Sequence, residues 1–239
     1  LKASLKMSRK RTTIKNKKLK KSAFVPTLAL LGRDFGKTGR NVIFSQFISL
    51  NANYQKFKKL IKKFPDNDRK RVIEAFEFAR KMHRGQMRDE KIPYIIHPVR
   101  AANTLMDERG IYDPEMIQAA LLHDVVEDTP IRIAEIGKRF GGEVRRLVSG
   151  MTRIKERESK EQKFRKTMRS DYRTRIVKCA DVLDNVRSWP LTPNRYKLPR
   201  WNHEVREMYL TLADSTDEYI ANQIRKLIDS RKYKEMMIE

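Results

Sequence analysis

The sequence predicts an all-α fold: a helical bundle from about residue 66 to the end, behind a basic N-terminal extension, residues 1–65. Three observations lead there. From residue 66 onward apolar residues recur at spacings of three and four, runs of alternating β-branched residues are almost absent, and glycine and proline stand where helices must stop or start.

Taken in order, residues 1–22 form a lysine-rich, low-complexity arm, expected to be disordered alone and to act as a solvated tail or a polyanion-binding arm. Residues 32–38 have a glycine-rich look, but three residues separate the glycines where a P-loop needs four, so a linker is expected there. Phe57, Leu60, Ile61 and Phe64 recur at helical spacing among five lysines. Such a basic amphipathic helix suits docking on the body, a nucleic acid or a membrane surface. Pro65 and the run Asp66-Asn67-Asp68 then open a helix of about 16 residues with Val72, Phe76, Ala79 and His83 on one face. Pro98 starts a second helix with Val99, Ala102 and Leu105 inward, and Asp113-Pro114 opens a third that runs on through His123, Asp124, Glu127 and Asp128. Further helices are expected over 130–140, 143–151, roughly 159–189, and 201 to about 231, with Gly110 and Gly141-Gly142 at helix ends.

Composition narrows the function classes. The net charge is +24; residues 1–33 hold 11 of the 54 Lys and Arg and no acid, leaving 43 basic against 30 acidic residues in the rest. Nucleic acid and highly phosphorylated small molecules are the polyanions that fit best, with anionic membrane third. The lone Cys179 excludes a disulfide framework and a cysteine-based zinc site and suits a reducing, cytoplasmic setting. No apolar stretch is long enough to span a bilayer, and the short run 23–31 makes a weak signal peptide.

The chemistry concentrates in Leu121-Leu122-His123-Asp124-Val125-Val126-Glu127-Asp128. Buried charge without a partner costs several kcal/mol, so an acidic cluster with histidine behind an apolar run points to a metal or to acid–base work. On a continuous helix His123 stacks over Glu127 and Asp124 over Asp128. His97, at a helix start, and Asp181 with Asn185 at i and i+4 complete a constellation. Two His and two Asp from three helices make a nitrogen/oxygen set with no thiolate, better suited to manganese, iron or magnesium than to structural zinc. Four such ligands on an octahedral ion leave two positions for a water and a phosphate oxygen, as in a hydrolytic site.

Several blocks then match one family in order: His83-Arg84-Gly85-Gln86-Met87-Arg88, Pro93-Tyr94-Ile95-Ile96-His97-Pro98, the run from Leu121 to Thr129, Phe140-Gly141-Gly142-Glu143-Val144, and Val177-Lys178-Cys179-Ala180-Asp181 with Asn185. Over about residues 68–190 the chain resembles the RelA/SpoT-type HD-domain hydrolases, which remove the 3′-pyrophosphate from the alarmone ppGpp, and in particular the small stand-alone members. The resemblance implies an HD-domain helical bundle, a manganese ion held by His97, His123, Asp124 and Asp181, and water activation by Glu127 and Asp128. It also implies nucleotide contacts from Arg88 and Asn185. Arg88, Lys155, Arg157 and Lys160 are candidates to stabilise charge on the pyrophosphate. His83 is expected behind the site or in the core. Departures touch substrate fit more than metal binding: Asp89-Glu90-Lys91-Ile92 replaces a basic-glycine loop, Asp184 stands where many members have His, and Ser188 where many have Thr. Two other readings stay open. One is a phosphohydrolase of another nucleotide, and the other a nucleic-acid or ribosome-binding protein that works through its basic arm.

Overall fold

Helices follow one another from Leu50 to Ile238 in the structure, a computed structural model that describes residues 49–154 and 157–238. The arm 1–22, the segment 32–38 and Lys155 lie outside the described residues. Among the described residues the only β contact outside helices is one isolated bridge, Met87 to Pro93. No helix there is long and apolar enough to cross a membrane.

Helix α1 (Leu50–Ile61) is capped by Ser49, whose Oγ accepts from the Ala52 amide. Its apolar stripe Phe57, Leu60 and Ile61, with Phe64 just beyond, is buried in the same core as the later helices. The Tyr54 and Phe57 rings lie 5.1 and 5.5 Å from that of Phe76, whereas Lys58, Lys59, Lys62 and Lys63 stay exposed. Helix α2 (Asp66–Met82) buries Val72, Phe76 and Ala79 as the spacing predicts. Its N-cap is Pro65 with no side-chain cap, so Asp66 and Asp68 serve it only as first-turn charges at the positive end of the helix dipole. Helix α3 (Ile96–Asn103) starts two residues before Pro98 and continues as a π-turn, Thr104–Glu108.

Helix α4 (Pro114–Leu122) is the axis of the bundle. Asp113 caps it, Pro114 occupies its first turn, and every residue from Met116 to Leu122 is buried. Past its first turn it is apolar apart from Gln118 and has no face to give to water; it packs against α2, α3, α7 (Gly142–Met151) and α9 (Tyr172–Ser188). It does not run on through the acidic cluster. The chain leaves the helix at His123 and Asp124 and re-forms a single turn, α5 (Val125–Asp128). The His123 ring takes the Ala120 carbonyl at 2.8 Å, and a side chain bonding its own last turn competes with the helical ladder. Helix α6 (Ile133–Phe140) and α7 meet at Gly141, whose φ of 93° and ψ of 168° a β-carbon would not tolerate cheaply.

The single helix expected over 159–189 is two, α8 (Lys160–Arg169) and α9. Asp171 breaks it by capping the second: its Oδ1 accepts from the Thr174 amide at 3.0 Å and its Oδ2 from Arg146 at 2.8 Å. Asp171→Ala is therefore expected to cost about 1 kcal/mol at neutral pH. The Arg146 guanidinium is the main reason the Asp171 carboxyl is lowered to about 2 from 3.8. A carboxyl lowered on folding stabilises the protein above its unfolded value and stops doing so as pH falls through its folded value. The variant's deficit, read from urea midpoints, should thus be flat near neutrality and shrink as pH falls from about 4 to about 2. A deficit unchanged across that window would remove the carboxylate from the account.

The last expected helix, 201–231, is also broken. It comprises α10 (Leu198–Glu204), a π-turn Val205–Tyr209, α11 (Leu210–Asp214), α12 (Glu218–Ile228) and α13 (Arg231–Ile238). Asp217 caps α12 through the Ile220 amide and accounts for the main break.

Candidate active site

The first turn of α3 delivers His97, the end of α4 delivers His123 and Asp124, and the middle of α9 delivers Asp181. All four converge. His97 Nε2 stands 3.0 Å from Asp181 Oδ1 and 3.5 Å from Asp124 Oδ2, and His123 Nε2 stands 3.1 Å from Asp124 Oδ2 and 3.5 Å from Asp181 Oδ1. The two Nε2 atoms are 3.2 Å apart, and both rings are buried.

The outer nitrogens decide what these atoms offer. His123 Nδ1 faces the Ala120 carbonyl, which can only accept, and His97 Nδ1 lies 2.6 Å from Asp184 Oδ2. Each Nδ1 therefore carries the hydrogen, and in the neutral rings each Nε2 turns a lone pair inward. Two imidazole lone pairs and two carboxylate oxygens facing one another require a cation between them. Burial works to lower the basicity of His123, but Asp124 and Asp181 outweigh it and raise its pKa well above the ordinary value. Burial likewise works to raise both aspartates, and the opposing charges win. Asp124 is held well below its usual range by His123, and Asp181 by Lys178 and then His123. This donor set fits a hard or borderline divalent cation, with no thiolate to favour a soft one. Within it His97, His123 and Asp124 form a group with metal-ligand spacing.

Around the cluster, Lys178 Nζ donates to Asp181 Oδ2 at 2.5 Å and Asn185 Nδ2 to Asp181 Oδ1 at 2.7 Å. The Tyr94 hydroxyl lies 2.6 Å from Asp124 Oδ2 and 3.1 Å from Asp128 Oδ2; its one hydrogen can serve only one of them at a time. Burial and the charges of Asp124 and Asp128 keep that phenol un-ionised by raising its pKa. The Glu127 carboxylate accepts from the Arg153 amide at 2.7 Å and from Lys163 Nζ. Burial, helped by the neighbouring Lys178, lowers the Lys163 pKa.

Beyond Asp181 opens a cleft of about 380 Å³, lined among others by Arg88, Tyr94, Lys178, Asn185, Trp201 and Tyr209. That is within the usual size of a small-molecule site. Arg88 Nη2 donates to Asn185 Oδ1 at 3.0 Å and to Ser188 Oγ at 3.2 Å, so one hydrogen-bonded line runs from the cleft through Asn185 to Asp181. Thus all eight residues singled out in the sequence lie in one region: His97, His123, Asp124 and Asp181 in the cluster, Glu127 and Asp128 one turn beyond Asp124, Arg88 and Asn185 in the cleft. The candidate phosphate cations fare differently. Arg157 is exposed, Lys160 pairs with Glu204, and Lys155 lies outside the described residues. Spacing missed Lys163 and Lys178, the lysines that do face the acidic groups. His83 stands behind the site, its ring stacked 4.6 Å from that of Tyr94 and its Nδ1 2.8 Å from Gln86 Oε1. Asp184 corrects an expectation: its departure, expected to touch substrate fit more than metal binding, lies against His97, with Oδ2 2.6 Å from Nδ1.

Comparison with known proteins agrees with this geometry. The HD domain family matches residues 75–217. The mouse guanosine-3′,5′-bis(diphosphate) 3′-pyrophosphohydrolase MESH1 is 36% identical over 172 residues, spanning 67% of this chain and 94% of the relative. The human form is 40% identical over 144 residues, spanning 58% and 78%. The bifunctional (p)ppGpp synthase/hydrolase SpoT of Escherichia coli K12 is 36% identical over 67% of this chain, but only 24% of its own length is matched. A solved structure described as a metazoan ortholog of SpoT that hydrolyzes ppGpp superposes with a TM-score of 0.61 at 27% identity, covering 72% of this chain and 99% of that one. An HD domain implies a divalent metal, and His97, His123 and Asp124, with Asp181 beside the two rings, are donors of the right kind for it. Family match, relatives and site geometry together show that this chain belongs to the HD-domain family, with MESH1 and SpoT among the proteins it resembles.

Proposed function

We propose that this chain is a phosphohydrolase that removes the 3′-pyrophosphate of (p)ppGpp, giving GDP or GTP and pyrophosphate, with manganese as its ion. One observation carries the reading: four inward-facing donors, His97, His123, Asp124 and Asp181, meet beside a nucleotide-sized cleft. The relatives' names supply the substrate class.

Those four residues would hold the ion. When bound, it supplies Lewis acidity and lowers the pKa of a water that it holds. Glu127 or Asp128 accepts the proton that the attacking water gives up, and as the 3′-oxygen–phosphorus bond breaks a proton returns to the ribose oxygen. Lys163 and Lys178, paired with Glu127 and Asp181, supply the cationic charge that steadies the departing pyrophosphate. Arg88 lays its guanidinium against the base, and Asn185, tied to both Arg88 and Asp181, sets the distance between base and reacting phosphate.

The test is pyrophosphate release from ppGpp with manganese, run beside ATP, GTP and NADPH. Turnover of ppGpp well above the others is expected, and equal turnover of all four would overturn the alarmone assignment. A nucleic acid or other polyanion bound through residues 1–65 remains part of the proposal, as does a cytoplasmic setting. A truncation that probes the arm should stop before Ser49, because removal through residue 65 would take Phe57, Leu60, Ile61 and Phe64 out of the core.

A further inference from the structure

His97 and Arg100 are one turn apart on α3, and Asp181 and Asp184 one turn apart on α9, so where these helices cross, two residues of each meet two of the other. The inner pair is His97 Nε2 with Asp181. The outer pair is Arg100 with Asp184: Nε donates to Oδ1 at 2.6 Å and Nη2 to Oδ2 at 2.9 Å, a two-pronged bond between side chains that are both almost fully buried. Asp184 Oδ2 also takes the Nδ1 hydrogen of His97 at 2.6 Å.

The two imidazoles are thus steered by different means. The backbone carbonyl of Ala120 orients His123, whereas only a side chain, Asp184, orients His97. We propose that Asp184, locked in place by Arg100, is a positioning residue that holds His97 in its Nδ1–H tautomer and aims Nε2 at the metal point. This rests on the metal reading above but extends it to a pair outside the donor set. The chemistry is general: a carboxylate on the far nitrogen of a ligating imidazole fixes ring and tautomer and strengthens the donor, and its loss typically weakens metal binding. Arg100 is needed because a carboxylate enclosed at this depth requires a full countercharge, and a neutral imidazole offers only a hydrogen bond.

The test separates positioning from mere structural support. In Asp184→Leu/Arg100→Met both buried charges go and apolar side chains of broadly similar shape take their place, an exchange that often leaves stability intact. Asp184→Asn is the second variant, since its amide oxygen can still accept from His97 Nδ1. Melting temperature checks the fold of each. Free manganese measured by electron paramagnetic resonance should give a Kd raised about 10–100-fold in the double variant, with Asp184→Asn in between. The chain has four histidines, so ¹⁵N-histidine spectra of the metal-free protein can follow each ring. The His97 signals should leave the Nδ1–H pattern in the double variant while those of His123 do not move. Wild-type manganese affinity together with an unchanged His97 tautomer in the double variant would overturn the proposal. Failure of the wild-type protein itself to bind manganese would instead sink the metal reading, and the metal-free spectra would still decide what Asp184 does.

Discussion

Asp124→Ala is expected to abolish most turnover of ppGpp, lowering kcat about 10³-fold or more, because a divalent ion contributes several kcal/mol of charge stabilisation and each 1.36 kcal/mol is tenfold in rate. The size of the effect follows from how many contacts one carboxylate serves. Asp124 Oδ2 faces His123 Nε2, His97 Nε2 and the Tyr94 hydroxyl together. Its removal leaves two inward lone pairs with only Asp181 opposite and frees Tyr94 to turn to Asp128. Manganese affinity should fall in step with activity, and excess manganese should restore only part of the rate. Asp124→Asn, which keeps the shape and an acceptor for Tyr94, should be almost as inactive if charge is what matters. Wild-type turnover in either variant would take Asp124 out of the site.

Glu127→Gln is expected to lower kcat by about 10²–10⁴-fold, the usual contribution of a positioned proton acceptor, with manganese affinity unchanged. Glutamine is informative here because its amide oxygen can go on accepting from the Arg153 amide and from Lys163, so the loop and helix α8 that Glu127 ties together need not move. What is lost is a base and a negative charge. A parallel fall in metal affinity would mean that Glu127 shapes the metal site instead, and an unchanged kcat would pass the role to Asp128. Asp128→Asn, measured beside it, assigns the share of each.

Much of this site can be read before any coordinates exist, and the reason is local. His123, Asp124, Glu127 and Asp128 interrupt an apolar run within six residues, and Asp181 and Asn185 declare a shared face by their spacing. What could not be read depends on contacts with no local trace. Asp184 lies 87 positions from His97 and Lys163 lies 36 from Glu127. In the sequence Asp184 is only a departure from the family pattern that points to substrate fit; the crossing of α3 and α9 turns it towards a ring nitrogen. The helix breaks leave little trace in the sequence for another reason. Apolar periodicity carries across Ser170-Asp171 and across Asp217 with little interruption, and the capping side chains that stop the ladder there are single residues. The turn at His123-Asp124 is subtler, since both residues keep helical backbone angles while the chain steps out of register.

Three stretches of chain far apart in sequence bring their donors to a single point, with no covalent link holding them together. An ion seated there would act as a removable clasp, drawing shut two long loops of polypeptide at once. The heat tolerance of this protein would then be borrowed in part from the metal content of its surroundings, and a chelator would loosen the whole bundle along with its chemistry.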